Sequence, residues 1–309
     1  MRKFFAKLVL CGGFLCIFIL VLELLLFCET NEYSYKYKYL CQHEDDIECL
    51  ILGASVSSNG INPKLISMKS FNAATEGRPL YYDYALVKEF VPKMKKLKCV
   101  VTTLTPSQLY RNYKYVVESS LSGNHSDQAY RSMHLKYMGL HFDWKDIFYY
   151  PETYNSYYNF MGRFTNSDEI NRNCDSLGYQ MMKETHINSE WKNTKVINYI
   201  DYTDRDVIPA VNENISYLVN MASICKDNNV RLIILWPPFH KAGISMVNDI
   251  DLQHFNDCAR KLNKMEGVEV YDFSQDPRFE NDEYYYNPTH LNAVGTDKFT
   301  MILNKLLSK

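Results

Sequence analysis

A chain of 309 residues has room for one large α/β domain or two smaller ones. With 46% hydrophobic and 23% charged residues it has the composition of an ordinary globular protein, and a formal net charge of −2 without a basic stripe excludes the usual nucleic-acid binder. The nine cysteines form no C-x-x-C pair, and no Cys/His cluster has zinc-ligand spacing, so a structural metal is not expected.

The first element is apolar. Arg2, Lys3 and Lys7 precede an uncharged run over residues 8–22; Glu23 interrupts it and residues 24–28 continue it. From Phe4 to Cys28 the segment exceeds the ~20 residues that a bilayer requires. Positive charge before it, and Glu29 and Glu32 after it, orient the N-terminus to the cytoplasm and the remainder outside, periplasmic or extracellular. A cleaved signal peptide wants a shorter run and a small-x-small site, which Leu26-Phe27-Cys28-Glu29 does not supply. Residues 1–29 therefore read as an uncleaved membrane anchor. Tyr33, Tyr35, Tyr37 and Tyr39 alternate with Ser34, Lys36 and Lys38, the pattern of an interfacial aromatic belt, with an edge strand as the alternative. Residues 30–46 read as a juxtamembrane linker, and the folded domain as residues 47–309.

Strand-like and helix-like stretches then alternate. Residues 47–52 are an apolar run too short for a helix and read as a buried strand, with Cys49 as a small hydrophobe. Asn62-Pro63 is a helix-start signature. Residues 70–73 predict a second strand, 79–94 a helix that Pro92 shortens or kinks, and 97–104 a third strand. The alternation lapses over 110–195, rich in Tyr, Asn, His and Ser; residues 113–195 read as a helical insertion over the sheet. It returns with a helix at 214–225, the clearest strand at 231–236 ended by Pro237-Pro238, a helix at 251–265, a strand at 268–271 and a closing helix at 293–307. Strands separated by helices predict an α/β fold with a parallel sheet covered on both faces.

Gly53-Ala54-Ser55 follows the first strand, so Ser55 sits at a carboxyl end, where open α/β sheets place their chemistry. The bland alternative is a turn whose serine caps the next segment. Far along the chain, Asn287-Pro288-Thr289-His290 precedes the closing helix, so His290 can reach back over the sheet. An imidazole can take the proton of a serine hydroxyl near neutral pH; a surface or capping histidine is the alternative. His240, after Pro237-Pro238-Phe239, falls on the same rim, as a substrate contact or as part of a turn. No Gly-x-Gly-x-x-Gly follows any strand, which excludes a dinucleotide site.

These residues carry a resemblance. Residues 50–55, 71–77, 100–107 and 286–295 are similar, in order, to four blocks of the SGNH/GDSL hydrolase superfamily, and within it to membrane-anchored branches that handle acyl groups on cell-surface glycans. The resemblance implies a flavodoxin-like three-layer sandwich with a five-stranded parallel sheet. It implies Ser55 as nucleophile, His290 as base, and the amides of Ser55 and Gly77 as an oxyanion hole, with Asn59 and His240 as substrate contacts and no cofactor. The partners implied are an acylated saccharide or glycan, the lipid bilayer and a membrane acyltransferase. Two departures matter. The third block lacks its asparagine, for which Thr105, Ser107 or Gln108 stands in, and the aspartate three residues before the histidine is Asn287. An asparagine oxygen can orient the imidazole but cannot neutralise the imidazolium; Asp282, Glu283 or a backbone carbonyl are the other candidates for that place. The activity implied is an ester hydrolase or O-acyltransferase, and the alternative is a related domain that binds glycan or a partner protein and has lost turnover.

Overall fold

Five short parallel strands organise the chain in the computed structural model, which describes residues 1–27, 32–112, 173–182 and 207–308. The strands are β1 (Cys49–Leu52), β2 (Ser70–Asn72), β3 (Cys99–Thr103), β4 (Arg231–Trp236) and β5 (Val268–Asp272), side by side in the order β2-β1-β3-β4-β5. The helices are α1 (Arg2–Phe27), α2 (Glu32–His43), α3 (Ser55–Ser58), α4 (Leu80–Phe90), α5 (Val207–Asp227), α6 (Lys241–Ile244), α7 (Asp249–Leu262) and α8 (Ala293–Leu307). A two-stranded antiparallel ribbon, β6 (Tyr285–Asn287) and β7 (His290–Leu291), precedes α8.

Alternation along the strands divides the core in two. Leu50, Leu52, Val100, Leu232 and Ile234 join Leu86, Phe90, Leu218, Met221 and Phe255 of α4, α5 and α7. Cys49, Ile51, Val101, Ile233 and Leu235 face Phe299, Leu303 and Leu307 of α8. A sheet covered on both faces explains why its strands read as unbroken apolar runs. The expected three-layer α/β sandwich and its five strands are present. After β1 the chain passes to β2 on one side and then to β3 on the other, so the strand order reverses at β1; the crevice beyond the carboxyl ends there is the place for a site.

Local signals act as expected in two places. Asn62 Oδ1 accepts the Lys64 N–H at 3.2 Å, capping a single 3₁₀ turn at Pro63–Leu65. Helix α4 begins after Pro79 and ends at Phe90, ahead of Pro92.

The stretch expected as a juxtamembrane linker differs. Residues 32–43 are helix α2, and the Tyr/Lys alternation conceals an i, i+4 stripe in which Glu32, Lys36 and Leu40 are all buried. Tyr39 stacks on Phe71 with ring centroids 4.0 Å apart, Tyr37 donates to the Glu89 carboxylate at 3.0 Å, and Tyr35 donates to the Ser176 carbonyl at 2.8 Å. These tyrosines hold α2 to the domain; they do not form a belt outside it.

Helix α1 leaves Phe4, Leu8, Phe14 and Phe18 exposed. Among the described residues no helix is long and apolar enough to cross a membrane, so the span expected over 4–28 is not shown by them. Of the expected insertion, only 173–182 is described. It straps the site's edge, with the Asn72 N–H on the Leu177 carbonyl (2.9 Å) and the Gln180 N–H on the Ser58 carbonyl (3.0 Å). Residues 113–172 and 183–195 of the insertion lie outside the described residues.

Candidate active site

Strand β1 ends at Leu52, and Gly53 then turns the chain with φ +117°. A Cβ at this position would lie 2.5 Å from Ser57 Oγ and 2.7 Å from Thr103 Oγ1, so the dihedral calls for glycine and any side chain would also displace these hydroxyls. Those two hydroxyls are 2.7 Å apart and tie α3 to β3. The N-cap of α3 is Ala54 and Ser55 is its first residue, so the serine is not the cap. Its side chain keeps some exposure, and its N–H is among the first four of a helix, which have no acceptor within it.

Beneath this turn lies a buried ion pair that sequence reading missed. Arg78 and Asp83 meet at 3.2 Å with both side chains 1% exposed. Asp83 also accepts from the Gly53 N–H and from Thr102 Oγ1 (3.3 Å), while Arg78 Nε donates to Thr75 Oγ1 at 3.1 Å. One pair of charges thus joins the Gly53 turn, the 75–78 turn and β3.

His290 arrives from the opposite end of the chain, and its ring orientation is dictated locally. Asn287 Oδ1 accepts the backbone N–H groups of Thr289 and His290, both at 3.0 Å. Two fixed donors determine which end of the amide faces the ring, so Oδ1 also accepts from His290 Nδ1 at 2.9 Å, a proton that Thr289 Oγ1 shares at 3.0 Å. With Nδ1 protonated, Nε2 presents its lone pair to Ser55 Oγ, 2.8 Å away. The ring retains an open edge, yet the protein packed around it disfavours the charged form and pushes its pKa from 6.5 down to about 4. The arrangement is a hydroxyl hydrogen-bonded to a neutral base that is oriented by an amide, the geometry of an activated nucleophile.

The other residues singled out from sequence are distributed differently. Gly77, at φ +66°, lies in a turn held beside Gly53 by the Thr75 N–H on the Gly53 carbonyl (3.2 Å). Thr105 is engaged elsewhere: its N–H donates to Gln108 Oε1 at 2.8 Å, and its hydroxyl lies 3.2 Å from both that oxygen and Ser107 Oγ. It caps the 3₁₀ turn Pro106–Tyr110, as a threonine before proline is apt to do, so it is not free to serve as an oxyanion donor. Gln108 Nε2 is buried without a hydrogen-bond partner among the described residues.

Asn59 is 1% exposed, with Oδ1 on Ser58 Oγ and its carbonyl on Thr296 Oγ1 (2.9 Å), so it fastens α3 to α8. His240 is 3% exposed; its Nδ1 accepts the Ala242 N–H at 3.1 Å and its Nε2 donates to Asp282 at 2.8 Å. Both ring nitrogens are thereby used in capping α6 and anchoring the 282–284 turn, which gives the ring a structural role. Asp282 serves His240 and Glu283 takes the Asn281 amide at 3.1 Å, so neither carboxylate supports His290. Among the described residues no group of three or more His, Cys, Asp or Glu side chains is placed to hold a metal ion.

No family model matches the chain, and no curated protein does. Solved structures similar to it include a Streptococcus pneumoniae protein provisionally described as a platelet activating factor (10% identity, TM-score 0.44, 94% of this chain and 99% of that one). A GDSL-like lipase from Bacteroides thetaiotaomicron is similar at 10% identity and TM-score 0.41, over 89% of this chain and 98% of its own. A Bacteroides fragilis protein provisionally described as an acylhydrolase is similar at 10% identity and TM-score 0.42, over 90% and 98%. Likeness this remote carries no function from those proteins to this chain.

Proposed function

We propose that the chain is a serine-dependent ester hydrolase or O-acyltransferase, tethered by its N-terminal helix and acting outside the membrane on acyl groups of a cell-surface polysaccharide. The observation that carries the chemistry is the 2.8 Å contact between Ser55 Oγ and the unprotonated Nε2 of His290, with Asn287 holding the other ring nitrogen. Ser55 Oγ attacks the acyl carbonyl while His290 Nε2 takes its proton, and the amides of Ser55 and Gly77 receive the oxyanion. The ester C–O bond then breaks, His290 returns the proton to the departing alcohol, and water or a sugar hydroxyl releases the acyl group from Ser55. The exposed apolar side chains of α1, behind Arg2, Lys3 and Lys7, support the tether. The glycan substrate, and a membrane acyltransferase as acyl donor, rest on the block resemblance.

The test has two parts. Ser55→Ala should abolish labelling by a fluorophosphonate probe and release of acetate from acetylated saccharides or p-nitrophenyl acetate; unchanged labelling counts against the assignment. The second reading is a domain that keeps the fold and binds glycan or a protein without turnover. Asn287 in place of a carboxylate and the capping role of Thr105 favour it. Saccharide binding by the native chain without any Ser55-dependent acetate release would select it.

A further inference from the structure

Helix α2 lies ahead of β1 in the chain and contributes nothing to the Ser55–His290 pair, yet it carries a buried lysine. Lys36 is 1% exposed and its ammonium has two partners, the Glu32 carboxylate at 2.6 Å and the main-chain carbonyl of Ala74. A buried ammonium is expensive unless paired, and one that is paired and aimed at a single carbonyl fixes that carbonyl firmly.

The position of that carbonyl gives the contact its meaning. The Ala74 N–H is held by Asn72 Oδ1 at 3.1 Å, and the next N–H, of Thr75, by the Gly53 carbonyl at 3.2 Å. Lys36 holds the remaining polar group of the same peptide unit, so the 74–75 peptide plane is fixed at both its C=O and its N–H. Two residues on is Gly77, at φ +66°. Asn72 and Gly53 act from the sheet and its immediate exit, whereas Lys36 reaches this turn from a separate helix.

We infer that Lys36 is a positioning residue: clamped by Glu32, it grips the Ala74 carbonyl and so aims the Gly77 amide at the oxyanion formed on Ser55. This rests on the proposed serine chemistry and extends the functional unit to α2, a segment that otherwise reads as a spacer. Displacing α2 would loosen one oxyanion donor while leaving Ser55 and His290 in contact.

The experiment uses the full chain with p-nitrophenyl acetate, active sites counted by the fluorophosphonate burst. Lys36→Met should lower kcat about 10- to 100-fold per active site, with KM within about twofold and the acid limb of the pH profile unmoved. A purely structural lysine would reduce melting temperature and the number of active sites while kcat per site stayed native, and that result overturns the inference. If Lys36→Met does not fold, Glu32→Gln keeps a hydrogen bond and removes the charge. A fall in kcat of about 3- to 10-fold at constant KM supports the clamp, and a native kcat overturns it. Ser55→Ala in parallel separates the two claims. Turnover that needs Ser55 but ignores Lys36 rejects only the clamp; a native chain with no Ser55-dependent turnover rejects the serine chemistry, and the clamp with it.

Discussion

Two histidines sit near the carboxyl rim of this sheet, and they have divided the parts of a triad between them. His240 has the carboxylate, Asp282 at 2.8 Å, and a backbone N–H on its other ring nitrogen. His290 has the hydroxyl, Ser55 at 2.8 Å, but an amide behind it. Their tautomers are opposite. His240 accepts at Nδ1 from a backbone N–H and so donates from Nε2; His290 donates from Nδ1 and accepts at Nε2. A carboxylate near a histidine therefore does not mark the one placed to act as a base. What marks it is a ring nitrogen left with a lone pair directed at a half-exposed hydroxyl.

The sharpest way to break this comparison is to remove each ring in turn. His290→Ala deletes the base and should lower kcat/KM for p-nitrophenyl acetate by roughly 10⁴-fold or more, with melting temperature little changed. A loss under about tenfold would mean that the serine is activated by some other group.

Next in size is the exchange of amide for acid. Asn287→Asp keeps an oxygen where Thr289 N–H, His290 N–H and Nδ1 converge, and adds a charge that stabilises the imidazolium. It should raise kcat/KM about 10- to 100-fold and move the acid limb to higher pH. The native amide does not select the wrong tautomer, because two backbone donors hold its oxygen towards the ring; the expected gain is therefore well below the ~10⁴ associated with losing both charge and tautomer. An unchanged rate would show that the charge behind His290 does not limit turnover.

The pH dependence sharpens the same contrast. Burial lowers the His290 pKa to about 4, and the proposed chemistry uses the neutral ring, so activity should hold as pH falls from 7 and drop through about 4. At pH 5 such a base is about 90% neutral, against about 3% for an unperturbed imidazole. A kcat/KM profile with its acid limb at 6.5 would show a ring that is solvated during turnover. The linked stability has the same sign. The unfolded chain binds this proton below 6.5 and the folded one only near 4, so the contribution is complete above 6.5, declines below it and is lost as pH passes through 4.

Much of this could be read from the sequence, for local reasons. The strands are apolar on both faces, Gly53 ends the first one, and the Asn287-to-His290 spacing is short enough to impose a ring orientation by itself. Other features depended on partners distant in the chain. Whether Asp282 serves His240 or His290 turns on a contact across 42 residues, and nothing near Asp282 distinguishes them. Helix α2 was hidden because tyrosine and lysine at every second position suggest a strand or a belt, while its buried stripe contains a lysine and a glutamate, types that normally mark a solvated face. Thr105 shows how one residue can satisfy two patterns; the cap before Pro106 prevailed because it fills a backbone need within the same turn.

His240 completes the comparison with the smallest effect. If its ring is a cap and a tie, His240→Ala should leave kcat/KM within about twofold of native and cost about 1–3 kcal/mol of stability, from an unmet Ala242 N–H and the lost contact to Asp282. Asp282→Asn tests the tie alone, since an amide oxygen can still accept from Nε2; it should cost less than the alanine and also spare the rate. Urea unfolding monitored alongside esterase assays separates the outcomes. A rate loss above about tenfold in His240→Ala at native stability would return this histidine to the substrate's side. The cavity of about 390 Å³ that it lines with Phe239, Lys241, Ile244 and Phe279 would then be the first place to look for the bound saccharide.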